Sequence, residues 1–137
     1  MTALSRCRQI ELPTIPNPDG SLAVIEADGG PLPFPIRRVY YLHSVPEGAK
    51  RGGHAHRRLE QMLVAVSGRL RVLLDDGAER RSEELSDPTV GLYLPTMVWR
   101  ELVDFDAGTV CLVIASRPYE PEDYIRDYDE FVAASES

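Results

Sequence analysis

The sequence predicts an all-β sandwich or barrel that ends in one short helix. Short alternating or β-branched segments recur along the chain, and Gly, Pro, Asp and Asn separate them. No long segment with helical periodicity interrupts the series, which is typical of sandwiches and barrels. The chain has 137 residues, of which 43% are apolar, and this suits a single compact core. We therefore treat residues 1–137 as one domain.

Six segments are predicted as strands, and the turn residues between them predict two hairpins. The strands are residues 21–27, 37–43, 61–67, 70–75, 90–94 and 110–116. Asp76-Gly77 lies between two such runs and is a strong hairpin signal, and Ser67-Gly68 is another. The tail, residues 121–135, is predicted to be helical, with acidic residues near its start.

Composition and charge exclude several classes of partner. The formal net charge is −7, so the surface as a whole repels nucleic acid and anionic membranes. The longest apolar runs are far too short to cross a bilayer. The first residues contain no apolar core of a secretory signal, and two cysteines are too few for a disulfide framework. We expect a cytoplasmic protein that binds neither nucleic acid nor membrane.

The stretch RGGHAHRRLEQ places two histidines one residue apart. In a strand, His54 and His56 point to the same face and can chelate a metal or flank one ligand. With Gly48, Gln61 and Gly68, their spacing resembles the first cupin motif. The segment GLYLPTMVWREL, residues 91–102, best matches the second cupin motif, with Arg100 at the histidine position. The resemblance implies a double-stranded β-helix, or jelly-roll, barrel.

The residues at the former ligand positions argue against a metal. A divalent ion requires three or four imidazole or anionic ligands, whereas this chain offers two imidazoles, the Gln61 amide and the Arg100 guanidinium. Arginine has no lone pair to donate and does not deprotonate in proteins. We predict no metal and no cofactor. Two histidines beside arginines suit proton transfer next to a carbonyl, with the cations stabilising an enolate.

Several segments together resemble the dTDP-4-keto-6-deoxyglucose 3,4-ketoisomerases. They are RRVYYLHSVPEGAKRGGHAH (37–56), LDDG (74–77), GLYLPTMVWREL (91–102) and YEPEDYIRDYDEF (119–131). The resemblance covers about residues 10–131. It implies a dTDP-linked 4-keto-6-deoxy sugar as substrate, an enediol(ate) intermediate and a 3-keto product. It also implies a homodimer, commonly with exchanged N-terminal strands.

The resemblance also implies the roles of individual residues. His54 is the expected base for the C3 proton and His56 its partner, and Tyr40 is a further expected catalytic residue that lines the pocket. Arg38 and Arg51 are candidates for the diphosphate, and Gln61 and Arg100 are assigned to substrate binding. Trp99 either stacks on the thymine or closes the barrel mouth, with the structural role preferred. Two departures from the family, Asp19 and Arg100, bear on whether the product's 4-hydroxyl is axial or equatorial.

Three other functions remain open. A nucleotide-sugar 3,5-epimerase also places a histidine base beside a carbonyl, although the motifs fit that family less well. A non-catalytic cupin that only binds a sugar nucleotide would belong to a different class. A metal-dependent cupin oxygenase is disfavoured by Gln61 and Arg100.

Overall fold

The computed structural model describes residues 2–136 and contains two five-stranded antiparallel sheets. The first has the order β1 (Arg8–Glu11), β9 (Val90–Leu94), β6 (Gln61–Ser67), β11 (Val110–Ala115) and β4 (Arg38–Leu42). The second has the order β12 (Tyr124–Ile125), β5 (Arg51–His56), β10 (Trp99–Val103), β7 (Leu70–Asp75) and β8 (Arg80–Leu85). A separate pair is formed by β2 (Thr14–Ile15) and β3 (Leu22–Ala23), and the helices are α1 (Ala3–Arg6) and α2 (Tyr128–Ser135). The predicted all-β fold with a short C-terminal helix is confirmed.

The main hydrophobic core lies between the two large sheets. The first sheet contributes Leu63, Leu92 and Val113, and the second contributes Val72 and Leu102, all of them buried. Along each strand the inward positions alternate with positions on the opposite face, as the pleat requires. Burying each such side chain contributes roughly 1.5–3 kcal/mol, so the sheets are joined mainly by this layer.

Most predicted strands are found, and one is wrong. Residues 61–67, 70–75 and 90–94 form strands with the predicted bounds, while β4 and β11 are slightly shorter than predicted. The predicted strand 21–27 is wrong beyond β3, because the partner strand β2 is only two residues long and lies between Pro13 and Pro16. Proline lacks the N–H that a ladder needs. The six predicted ranges omitted the other six strands that the structure describes within residues 2–136, which are β1, β2, β5, β8, β10 and β12.

One of the two predicted hairpins is confirmed. Asp75 pairs with Arg80, so β7 and β8 form the hairpin around Asp76-Gly77. Ser67-Gly68 instead carries the chain from β6 in one sheet to β7 in the other. Gly68 has φ +74°, and a Cβ there would lie 2.7 Å from the Cα of Thr109. Gly68 is a turn residue, as predicted, but the turn connects the two sheets at a corner of the barrel and does not form a hairpin.

The tail is helical only in its second half. Residues Pro121–Asp123 form one 3₁₀ turn, β12 follows, and α2 begins after Asp127. The Asp127 side chain accepts a hydrogen bond from the Glu130 N–H at 3.0 Å, which is the usual cap of a helix start. β12 pairs with β5, so the tail borders the strand that carries the two histidines. Within residues 2–136, no helix is long and apolar enough to span a membrane.

Candidate active site

A bulge in β5 aims the first histidine. Arg100 of β10 pairs with His54, but the next residue, Glu101, pairs with Gly52, so Gly53 has no partner in the register. Gly52 and Gly53 have φ values of +85° and +75°, which glycine adopts at little cost. A Cβ at Gly52 would lie 2.9 Å from the Arg100 carbonyl oxygen. The two glycines of RGGHAH thus permit the bulge that re-aims His54.

The two imidazoles lie side by side on the inner face of β5. Their ring centroids are 4.8 Å apart and the rings are nearly perpendicular. Ala55, between them, points the other way and packs with Ile125 and Phe131. His54 lines a cavity of about 570 Å³, whereas His56 is fully buried behind it. The predicted shared face of the HxH pair is therefore present.

Arg100 provides a buried positive charge opposite His54. Its exposed fraction is 2%, and its Nε and Nη2 donate to the Val98 carbonyl at 3.1 and 3.0 Å. Its Nη1 donates to Gln61 Oε1 at 2.5 Å, and Gln61 Nε2 donates to the Tyr40 hydroxyl at 3.0 Å. Within residues 2–136, no carboxylate forms an ion pair with this guanidinium. An unpaired buried cation is costly, which suggests that a ligand or a developing negative charge complements it.

Burial, reinforced by the buried cation, keeps both histidines neutral. Burial, followed by the charge of Arg100, lowers the pKa of His54 to about 3 and that of His56 to about 2. Burial lowers the pKa of Arg100 itself to about 10, so it remains protonated at neutral pH. Burial raises the pKa of Tyr40, whose hydroxyl therefore stays protonated. At pH 7 the site combines neutral imidazoles with a fixed positive charge.

These residues do not fit a metal centre. Gln61 Oε1, the atom best placed by sequence to be a ligand, already accepts a hydrogen bond from Arg100. The remaining donors of the motif are two imidazoles beside a guanidinium, which would repel a dication. Among residues 2–136, no group of three or more His, Cys, Asp or Glu side chains could hold an ion. Metal independence therefore remains a prediction that the donor chemistry supports.

The cavity wall is rich in cations. Five positively charged side chains line it, and no Asp or Glu does: Arg38, Lys50, Arg51, Arg100 and Arg126. The protein as a whole carries a net charge of −7, so this is a strong local reversal of sign. Arg38 lies over the Tyr40 ring at 5.2 Å, and its buried Nε and Nη2 have no hydrogen-bond partner within the described chain. Such a cavity fits an anion such as a phosphate or diphosphate.

Sequence reasoning missed three polar residues of the cavity wall: Lys50, just before β5, and Tyr124 and Arg126 in the tail. The Tyr124 ring lies 4.9 Å from that of His54 and 4.4 Å from that of His56. The guanidinium of Arg126 lies 4.1 Å from the centroid of the same ring. Both belong to the tail motif YEPEDYIRDYDEF, but interpreting that tail as one helix concealed the short strand β12. The resemblance of this tail motif to the family was the signal that could have identified both residues.

The structure does not place Trp99 in this cavity. Trp99 precedes Arg100 on β10, so its side chain points to the opposite face of the sheet. It packs against Tyr128 and Phe131 of α2, and its Nε1–H donates to Glu101 at 3.2 Å. Trp99 does not line the cavity that holds His54, and its packing on α2 supports the structural role that the sequence analysis preferred over stacking on the thymine. Of the other predicted residues, all but one line the cavity: Arg38, Tyr40, Arg51, His54, Gln61 and Arg100. The exception, His56, is buried and does not line it.

The fold and the cavity define a small cupin in which an HxH pair faces a guanidinium. The family model described as "FdtA: WxcM-like, C-terminal" matches residues 5–136. A TDP-4-oxo-6-deoxy-alpha-D-glucose-3,4-oxoisomerase from Aneurinibacillus thermoaerophilus is 46% identical over 112 residues, which cover 82% of this chain and 80% of that protein.

Solved structures agree with this relationship. QdtA, a sugar 3,4-ketoisomerase from Thermoanaerobacterium thermosaccharolyticum in complex with TDP, superposes with a TM-score of 0.93 and 39% identity, covering 97% of this chain and 96% of that one. A mutant of the same enzyme in complex with TDP-4-keto-6-deoxyglucose gives a TM-score of 0.92 and 38% identity, covering 95% and 94%. The chain therefore belongs to the FdtA-like family of sugar 3,4-ketoisomerases, and the predicted family is confirmed.

Proposed function

We propose that this protein moves the carbonyl of dTDP-4-keto-6-deoxyglucose from C4 to C3 and thereby makes a dTDP-3-keto-6-deoxyhexose. The observation that carries the proposal is a neutral His54 that lines a cation-rich cavity opposite the buried Arg100. The names of the relatives supply the substrate and the direction of the carbonyl shift. The product would serve the synthesis of an unusual deoxysugar.

The proposed reaction consists only of proton transfers. His54 removes the C3 proton, and the C–H electrons form a C3–C4 double bond while negative charge moves to the C4 oxygen. Arg100, whose charge is not matched by any carboxylate in the described chain, stabilises this enediolate. The proton of the O3 hydroxyl then passes to the negatively charged O4 while a second proton is delivered to C4, which leaves the carbonyl at C3 and a hydroxyl at C4. His56 and Tyr40 assist by orienting the sugar or by carrying protons between the oxygens.

The cations nearer the mouth are proposed to hold the nucleotide. Arg51 begins β5 and is exposed, and Arg38 lies on the inner face of β4 with Tyr40. Lys50 and Arg126 join them in the wall. A diphosphate would pair with guanidinium groups through charge-assisted hydrogen bonds, each contributing about 1.5–3 kcal/mol. Gln61 would keep Arg100 and Tyr40 in place while contacting the sugar.

Product analysis by NMR in deuterated buffer tests the proposal directly. The protein is incubated with dTDP-4-keto-6-deoxyglucose, and we expect a 3-keto product with deuterium at C4. Deuterium at C5 without a carbonyl shift would instead identify a 3,5-epimerase. The same spectrum reports whether the 4-hydroxyl is axial or equatorial.

His54→Asn separates the enzyme from a silent binding protein. We expect turnover to fall about 10²- to 10⁴-fold, which is the usual contribution of a general base, while dTDP still binds. If the unaltered protein binds dTDP with the same affinity as the variant but never turns over the sugar, the enzyme hypothesis fails and the non-catalytic alternative stands.

We further propose that the enzyme is independent of metals, dimeric and cytoplasmic. Dialysis against EDTA should leave turnover unchanged, and stoichiometric iron, nickel or zinc bound by His54 and His56 would contradict metal independence.

Ile15 and Leu22 of the β2–β3 pair are each 57% exposed, which favours a partner that covers the N-terminal strands. Analytical ultracentrifugation should give twice the mass of one chain.

A further inference from the structure

A buried carboxylate lies beside the histidine pair and has no part in the reaction proposed above. Asp123 ends the 3₁₀ turn, and only 2% of its surface is exposed. Its Oδ2 lies 3.8 Å from Nδ1 of His56. Asp123 does not line the cavity, so it cannot be explained as a substrate ligand.

The position of this carboxylate is fixed by groups other than His56. Its Oδ1 accepts the Arg58 backbone N–H at 2.8 Å, and its Oδ2 accepts the Leu59 N–H at 3.0 Å. The Arg58 guanidinium adds a weaker contact to Oδ1 at 3.4 Å. The loop after β5 therefore holds Asp123 against the back of the His56 ring.

His56 lacks any other partner. Both of its ring nitrogens are buried and form no hydrogen bond within residues 2–136. The other polar groups that act on the ring are His54, Arg100, Arg38 and Arg126, together with the Tyr124 ring. The three arginines cannot accept a proton, whereas Asp123 can accept a hydrogen bond. At 3.8 Å the contact is too long for a hydrogen bond, but such contacts in free enzymes commonly shorten in the working complex.

We propose that Asp123 is a positioning residue that accepts the Nδ1–H of His56 and so fixes its tautomer. With Nδ1 protonated, Nε2 carries the lone pair and can accept a proton when the sugar reacts. The carboxylate also supplies a negative charge that offsets a transient imidazolium among the arginines. The catalytic consequence rests on the proposed function, whereas the tautomer is a property of the free protein.

Nitrogen NMR of the free protein measures the tautomer. The chain has only three histidines, so long-range ¹⁵N–¹H spectra of ¹⁵N-histidine-labelled protein contain three imidazoles, which His43→Gln and His54→Asn assign. We expect His56 to be protonated at Nδ1. Protonation at Nε2 in the unaltered protein would overturn the inference whatever the activity, and an inactive protein with Nδ1 protonated would refute only the proposed function.

Asp123→Asn then tests whether the carboxylate determines the tautomer of His56. We expect the Nδ1–H signal of His56 to be replaced by a mixture or by the other tautomer, and kcat to fall about 10- to 100-fold, as for other partners that orient an imidazole. KM should change less than threefold, because Asp123 does not line the cavity. An unchanged tautomer and kcat would contradict the proposal.

Arg58→Ala is the matched control. It removes the 3.4 Å contact to Asp123 but leaves the carboxylate and both backbone hydrogen bonds in place. We expect the His56 tautomer and kcat to remain those of the unaltered protein. If Arg58→Ala changed the tautomer as much as Asp123→Asn did, the effect would come from the loop and the inference would be wrong. If Asp123→Asn does not fold, the tautomer of His56 measured in the unaltered protein still tests the proposal.

Discussion

Arg100 illustrates how one residue sets the chemistry of the cavity. Replacing it with methionine removes the charge proposed to stabilise the enediolate, and we expect kcat to fall about 10²- to 10³-fold. The loss of a neighbouring cation should also raise the pKa of His54 and His56, since Arg100 lowers both. Arg57→Met, on the exposed surface beside Glu130, is the control and should be fully active. Full activity in Arg100→Met would remove the guanidinium from the mechanism.

Arg126 should behave differently, because it lies at the mouth and is exposed. We expect Arg126→Ala to raise KM about tenfold, the equivalent of losing one charge-assisted hydrogen bond to phosphate, with a smaller change in kcat. Affinity for dTDP, measured by calorimetry, should also depend less steeply on salt in the variant. An equal loss of kcat and kcat/KM would mean instead that Arg126 contacts the reacting sugar.

At the scale of elements, two glycines in the left-handed region allow a matched test. Gly68, at the corner between β6 and β7, has no room for a Cβ because of Thr109, whereas Gly108 has φ +80° and nothing within 4 Å of a Cβ. Both alanine substitutions carry the cost of a positive φ, about 1 kcal/mol. Gly68→Ala should reduce the free energy of unfolding by about a further 1–3 kcal/mol for overpacking. Urea denaturation measures the difference, and equal losses would contradict the proposed clash.

Local sequence patterns predicted the strands that have regular neighbours in the sheets. They failed where contacts between residues far apart in the sequence determine the structure. Residues 61–67, 70–75 and 90–94 are long strands with paired neighbours on both sides, so propensity and burial agree there. Gly68 packs tightly against Thr109, which is 41 residues further along the chain, and the local turn sequence does not indicate such a contact. In the tail, β12 exists only because β5 offers its free edge. Side chains alternate between the two faces of a strand, so placing Arg100 on the inner face would have placed Trp99 on the outer face.

The same division holds for the candidate site. The HxH spacing and the position of Arg100 follow from motifs, so six of the predicted residues do line the cavity. Tyr124 and Arg126 reach the cavity from the tail, about seventy residues after the histidines, and Asp123 reaches the far side of His56. Nothing in the local composition of that tail specifies its register against β5, and only the family motif indicated that it matters.

For the whole molecule, the lowered histidine pKa values predict acid sensitivity. In the unfolded chain both histidines return to a pKa near 6.5, so between about pH 6.5 and 3 the unfolded state binds more protons than the folded state. Their contribution is complete above pH 6.5, and it is lost as the pH falls, by up to about 1.4 kcal/mol per pH unit for each histidine. Denaturation at pH 7, 6 and 5 measures the slope. His54→Asn should flatten it and His43→Gln, at an exposed position, should not.

β5 is flanked on one edge by β12 and on the other by β10, and this has a stereochemical consequence. A base carried by a strand with neighbours on both edges has little freedom to swing from one side of the sugar ring to the other. The side from which C4 is reprotonated must then depend on how the hexose lies in the cavity and on which proton donor lies beside it. Relatives that make opposite epimers could therefore share an unchanged barrel and differ only in a few side chains around the sugar.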